Sequence, residues 1–225
     1  IGDSSFGFAI LDNGTNNFNS TSAATSNIGS KSVYLYKAGA LGNISSATSL
    51  TSSGLNSTGY YAVNGAVINN SGNVDFSNSI GSAGAFASNN AIIYNNGTIT
   101  IGKSQIDSPN PADRYYSLGM AAKNGGKIYN NNTINVTGDY GIGMRSENAT
   151  GSIENKGKIE SSKLRAVGMS ASDGSNAVTN SRIIELSGQE SIGLHTDNNG
   201  TAGHAVTNTG TITLVDANDE DKPNI

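Results

Sequence analysis

Side chains able to do chemistry are sparse in this chain. Its 225 residues include 13 Lys and Arg, 17 Asp and Glu, two His and no Cys. The absence of Cys excludes disulfides, thiolate catalysis and Cys-based metal sites. Glu154 and Glu160 flank one short phrase, and Glu185 follows Glu160 by 25 residues. Carboxylates stacked on one face could act as an acid–base pair on a glycosidic bond. Lys158 and Arg182 accompany them, which points to balanced surface charge instead. His195 and His204, with Asp197 between, are the conceivable metal ligands, and isolated histidines of this kind read as solvated. Asp3-Ser4 sets a hydroxyl beside a carboxylate, but no His lies near it in the chain, so Ser4 lacks a general base. The acidic run Asp216-Ala217-Asn218-Asp219-Glu220-Asp221 lacks the Gly and spaced oxygens of a calcium loop and reads as a solvated exit segment. We therefore expect no enzyme, metal or cofactor. The net charge of −4 argues against nucleic acid as a partner.

Stepping outward from these side chains, the elements that must carry them form a repeat. The phrase apolar-x-Asn-x-Gly-x-apolar recurs around Asn70, Asn95, Asn130, Asn155, Asn180 and Asn208, at intervals of 25, 35, 25, 25 and 28 residues. A second phrase falls between: Ala83-Gly84-Ala85, Leu118-Gly119-Met120, Ile142-Gly143-Met144, Val167-Gly168-Met169 and Ile192-Gly193-Leu194. Two interleaved phrases in one register indicate a solenoid, in which each coil completes its core only against its neighbours. Within the coil after Gly126, alternating apolar residues predict short strands at 127–129, 133–136 and 141–145. The fold class is thus all-β: a parallel β-helix with three short strands per coil and about 25 residues per coil.

Three expectations follow from the turn chemistry. The repeated Asn should bond to the Asn of the coils above and below. Gly72, Gly97, Gly157 and Gly210 should take positive φ, with Asn132 a tolerated substitute and Arg182 a source of distortion. If the residues flanking the middle glycines point inwards, Gly84, Gly119, Gly143, Gly168 and Gly193 form a bare outer stripe; the competing reading is a bend that requires Gly.

The chain divides into residues 1–64, irregular coils with Ser/Thr-rich stretches at 17–30 and 43–58 expected as long loops or degenerate coils; 65–215, the regular repeats; and 216–225, the exit segment. The 35-residue interval marks an insertion at 103–115. Solenoid insertions map to loops on one face, frequently the binding face. This one holds two of the three prolines, Pro109 and Pro111, and ends Arg114-Tyr115-Tyr116, residue types enriched at contact hot spots. Asp107, Asn110, Asp113, Arg114, Tyr115 and Tyr116 are the candidate binding residues.

The pairing of Gly151-Ser152-Ile153-Glu154-Asn155-Lys156-Gly157-Lys158-Ile159 with Ser191-Ile192-Gly193-Leu194 resembles the passenger domains of large Gram-negative autotransporter adhesins, the type V secretion proteins. The resemblance covers residues 65–215 well and the first third poorly. It implies a right-handed, monomeric β-helix, secreted through a C-terminal outer-membrane barrel and displayed on the cell surface as a virulence-associated adhesin. Its partner would be a protein or glycan of host cells or other bacteria. A passive stalk and a polysaccharide-processing enzyme are the alternatives; the shorter repeats of trimeric left-handed rolls fit less well. The first residues also resemble the Gly-Asp-Ser-Gly nucleophile sequence of secreted serine proteases, departing at Ser5. Because the pattern is under way at both ends, the chain is expected to be a piece of a longer protein.

Overall fold

The computed structural model describes residues 1–11, 16–21, 24–148, 150–174, 176–197 and 203–215. The acidic run at 216–221 lies outside them. Among the described residues 24 strands sort into three parallel sheets of eight strands each. The coil beginning at Lys127 shows the plan. Lys127–Asn130 belongs to the second sheet, Thr133–Val136 to the third and Ile142–Glu147 to the first. Each pairs in parallel with the strand one repeat later: Ile128 with Ile153, Ile134 with Ile159, Met144 with Met169. The result is a β-solenoid of about eight turns. No helix among the described residues is long and apolar enough to cross a membrane.

Alternation places one apolar side chain per strand over its copy in the next coil. Ile68, Ile93, Ile128, Ile153 and Val178 form one wholly buried column, and Val74, Ile99, Ile134, Ile159 and Ile184 form the facing one. Burying such a side chain is worth about 1.5–3 kcal/mol, and β-branched shapes stack on one another along each column.

Between these columns runs a ladder of amides. Asn70 Nδ2 donates to Asn95 Oδ1 at 2.8 Å, Asn95 to Asn130 at 3.0 Å, and Asn130 to Asn155, Asn155 to Asn180 and Asn180 to Asn208 at 2.9 Å each. The first five are at most 1% exposed. Most of these amides also fasten their own turns: Asn95 and Asn130 donate to the carbonyls two residues on at 2.7 Å. Where Arg182 replaces Gly, that bond lengthens to 3.4 Å.

The glycines of the Asn turn differ from expectation. Positive φ among the described glycines occurs at Gly39, Gly42, Gly65, Gly81, Gly125 and Gly174, not at Gly72, Gly97, Gly157 or Gly210. Their requirement is closeness: a Cβ on Gly97 would strike the carbonyl of Gly72, and one on Gly157 that of Asn132. The turns stack backbone on backbone, leaving no space for a side chain.

The middle glycines do not form an outer groove. A Cβ on Gly143 would lie 2.6 Å from Ile159 Cγ2 and 2.6 Å from the Gly168 carbonyl. Gly84 and Gly168 meet Ile99 and Ile184 in the same way. Since Met144 is also wholly buried, two successive residues turn inwards, the backbone bends, and the preceding apolar residue is expelled. Val167 and Ile192, expected inside, instead lie half-buried along a depression on the outer face of the first sheet; Ile142 borders the same depression but is buried.

Residues 1–64 are regular in register. The Ser/Thr-rich stretches expected as loops hold the strands Phe18–Ser20, Thr25–Ile28, Ile44–Ser46 and Ser49–Ser52, which continue the second and third sheets. Hydroxyls replace the amide ladder there. Ser46 pairs with Asn70 across the second sheet, and its Oγ accepts from Tyr60 Oη at 3.1 Å. Tyr60 is wholly buried. Burial drives its phenol well above the ordinary range, the Ser46 hydrogen bond opposes this, and nearby Tyr34 adds to the rise.

Three tests follow. Asn155→Ala strands ladder partners on both sides and should cost about 2–3 kcal/mol, whereas the same change at exposed Asn208 should cost under about 1 kcal/mol; urea titrations measure both. Gly143→Ala should destabilise by about 1–3 kcal/mol through overpacking, while Gly2→Ala, whose Cβ would meet nothing nearer than Ser5 Oγ at 4.0 Å, should leave the midpoint unchanged. Because the folded Tyr60 binds its proton more tightly than the unfolded one, stability should be unaffected by this group below about pH 10 and fall as pH rises beyond it. Tyr60→Phe should flatten that alkaline loss in denaturation curves.

Candidate binding face

The insertion leaves the third sheet after Ile99–Ile101 and rejoins the first sheet at Leu118–Lys123. Its neck is closed by an antiparallel bridge: Gln105 and Tyr115 exchange two backbone hydrogen bonds of 2.8 Å. Below the bridge, Ser117 N donates to Ser104 Oγ at 2.9 Å and Ser117 Oγ donates to the Lys103 carbonyl at 2.8 Å. The tip is a 3₁₀ turn, Pro111–Asp113. Asn110 caps it by accepting from Ala112 N at 3.1 Å and donates to Asp113 Oδ2 at 3.1 Å. Arg114 Nε donates to the Ser108 carbonyl at 2.9 Å.

The structure therefore separates the six candidate residues. Asp107 is exposed on the loop, and Asn110 and Asp113 are engaged in holding the tip. Arg114, Tyr115 and Tyr116 are brought together over the outer face of the first sheet, where they line a depression of about 330 Å³ with Phe86, Leu118 and Lys123. Tyr115 seats directly on Gly81, whose φ of +61° and missing side chain make the space. The Arg145 guanidinium lies 5.5 Å from the Tyr116 ring centroid. Beyond Tyr116 a second depression of about 240 Å³ is lined by Arg145, Val167, Ser170, Ile192 and His195.

The same face carries an aromatic column that the motif reading missed. Tyr36, Tyr61 and Phe86 stand on successive coils in one register, followed by Ala121, Arg145, Ser170 and His195. Tyr36 and Tyr61 meet edge to face at 5.4 Å, and Tyr61 and Phe86 at 4.9 Å. All three are half-buried. Burial, with Tyr36 adding to it, raises the Tyr61 phenol above its ordinary range. The signal was in the sequence: an aromatic residue every 25 positions, three residues before Gly39, Asn64 and Asn89 in turn.

The other candidate groups are arranged as follows. Glu160 and Glu185 pair across the third sheet, and Lys158 Nζ bridges both, at 2.5 and 3.0 Å. These hydrogen bonds, Glu160's first, raise the Lys158 pKa. Both carboxylates border a depression of about 340 Å³ with Asn135 and Lys163. His204 Nδ1 accepts from Asn176 N at 3.3 Å and its Nε2 lies 3.1 Å from the Asp197 carbonyl. Among the described residues no three His, Cys, Asp or Glu are grouped to hold a metal ion. Ser4 precedes the first strand of the first sheet and His195 lies on its last, so the two stand at opposite ends of the solenoid.

No curated protein and no solved structure matches the chain. The family model described as BigA third pectate lyase-like domain matches residues 16–224, and a match over that span, on a three-sheet β-solenoid, makes this chain a member of that family.

Proposed function

We propose that the chain is a surface-displayed segment of a bacterial adhesin, carried out as an autotransporter passenger, that attaches to host cells or other bacteria without catalysis. The observation that carries this reading is the gathering of Tyr36, Tyr61, Phe86, Tyr115, Tyr116 and Arg145 on one outer face, beside the one large insertion. Half-exposed aromatic rings and Arg supply large contact area at small cost in side-chain freedom. Membership in a family of β-helical domains supports the passenger-like scaffold.

A second reading, an enzyme that holds a long carbohydrate, draws on the pectate lyase-like family description and on the depression beside Glu160 and Glu185. Lys158 neutralises that pair from between its members, which favours the binding reading, since an acid–base pair needs its two pKa values driven apart.

Replacing residues 106–114 with Asn-Gly should close the hairpin at the Gln105–Tyr115 bridge and leave thermal unfolding unchanged. Attachment of the immobilised chain to target cells should fall by about tenfold or more. Full attachment by this variant would sink the proposed face. Failure of the unaltered chain to attach where its parent protein does would leave a passive stalk, and depolymerisation of a polysaccharide would establish the enzyme.

A further inference from the structure

Resting on that binding reading, we infer that the partner surface is a polypeptide segment in which apolar side chains bracket a carboxylate, seated with the carboxylate on Arg145. Charge comes first. Arg114, Lys123 and Arg145 converge on the larger depression and face a single carboxylate there, Glu147, while Arg145 shares the smaller depression with Asp197. That carboxylate lies 3.7 Å from Lys123 Nζ and 3.9 Å from Arg145 Nη2, longer than the ~2.8 Å of a charge-assisted hydrogen bond. In a chain of net charge −4 this is a local excess of positive charge, and neither cation is saturated.

Arg145 is also held ready. Tyr116 covers one side of its guanidinium at 5.5 Å, and its Nε is buried with no hydrogen-bond partner. With Nε shielded from outside, the Nη groups of this planar cation, pinned on a ring, are the donors an incoming carboxylate would meet.

The surroundings decide between peptide and glycan. Sugars stack flat on open aromatic faces, whereas Tyr61 packs edge to face against Tyr36 and Phe86, and Arg145 covers one face of Tyr116. What remains beside the cation is aliphatic, with Leu118 on one side of Tyr116 and Val167 and Ile192 on the other. β-Branched rows of this kind pack against apolar side chains and offer hydroxyl-rich sugars few partners.

The test pans a random dodecapeptide library displayed on phage against the immobilised chain, with Arg145→Gln panned in parallel. Selected peptides should be enriched in Asp or Glu flanked by apolar residues, bind about tenfold more weakly to Arg145→Gln, and weaken with added salt. Circular dichroism and thermal unfolding of Arg145→Gln should match the parent, and Arg145→Lys should restore part of the binding. Peptides without acidic residues, or equal binding by Arg145→Gln, would overturn the inference. So would cell attachment abolished by periodate oxidation of surface glycans and untouched by protease. Attachment that depends on the 106–114 loop but not on Arg145 would remove the acidic peptide while leaving the binding face in place; independence from both would remove the face as well.

Discussion

A buried amide is tolerable only if its donors and acceptor are satisfied, and in this solenoid the partner that satisfies each ladder Asn is its own copy one coil away. Asn155 receives from Asn130 and gives to Asn180, both at 2.9 Å. The constraint is periodic by nature: any coil that shifted by one residue would strand an amide in the core and turn its apolar row outwards. Columns of isoleucine supply the burial energy, but they alone would accept small slips. The amides fix the register, and the stacked Gly turns beside them set how closely coils approach.

That constraint explains how the chain accommodates an insertion. The interval from Asn95 to Asn130 is 35 residues, yet the bond between them is 3.0 Å. The additional residues are exported between the third and first sheets, and the Gln105–Tyr115 bridge and the paired serines 104 and 117 seal the neck so that the coil continues undisturbed. Since the exit point adjoins the first sheet, the loop lies down on that sheet's outer face. A strict repeat therefore delivers an irregular element to a defined place.

The middle glycines prepare that place. By turning inwards against the third-sheet isoleucines they bend the first-sheet strand and push the preceding apolar residue outwards. The outer face consequently carries an aromatic stretch, a cationic centre at Arg145 and an aliphatic stretch in succession along the axis.

Much of this was determined by the sequence itself. The period, the three-strand coil, the Asn ladder and the position of the insertion follow from spacing alone, because a solenoid makes neighbours of residues one repeat apart. Tyr36, Tyr61 and Phe86 were equally periodic, and attention to the Asn and Gly phrases hid them. The strands within 17–30 and 43–58 escaped because Ser46 and its neighbours carry the stacking role with hydroxyls, which composition does not distinguish from loop chemistry. Only the tertiary structure decided direction: that Gly143 points at Ile159, that Val167 faces out, that Gly157 is required by an approaching backbone, and that Tyr116 lies on Arg145. Each of these depends on how the chain bends between strands, a property that periodicity repeats faithfully from coil to coil without revealing its sense.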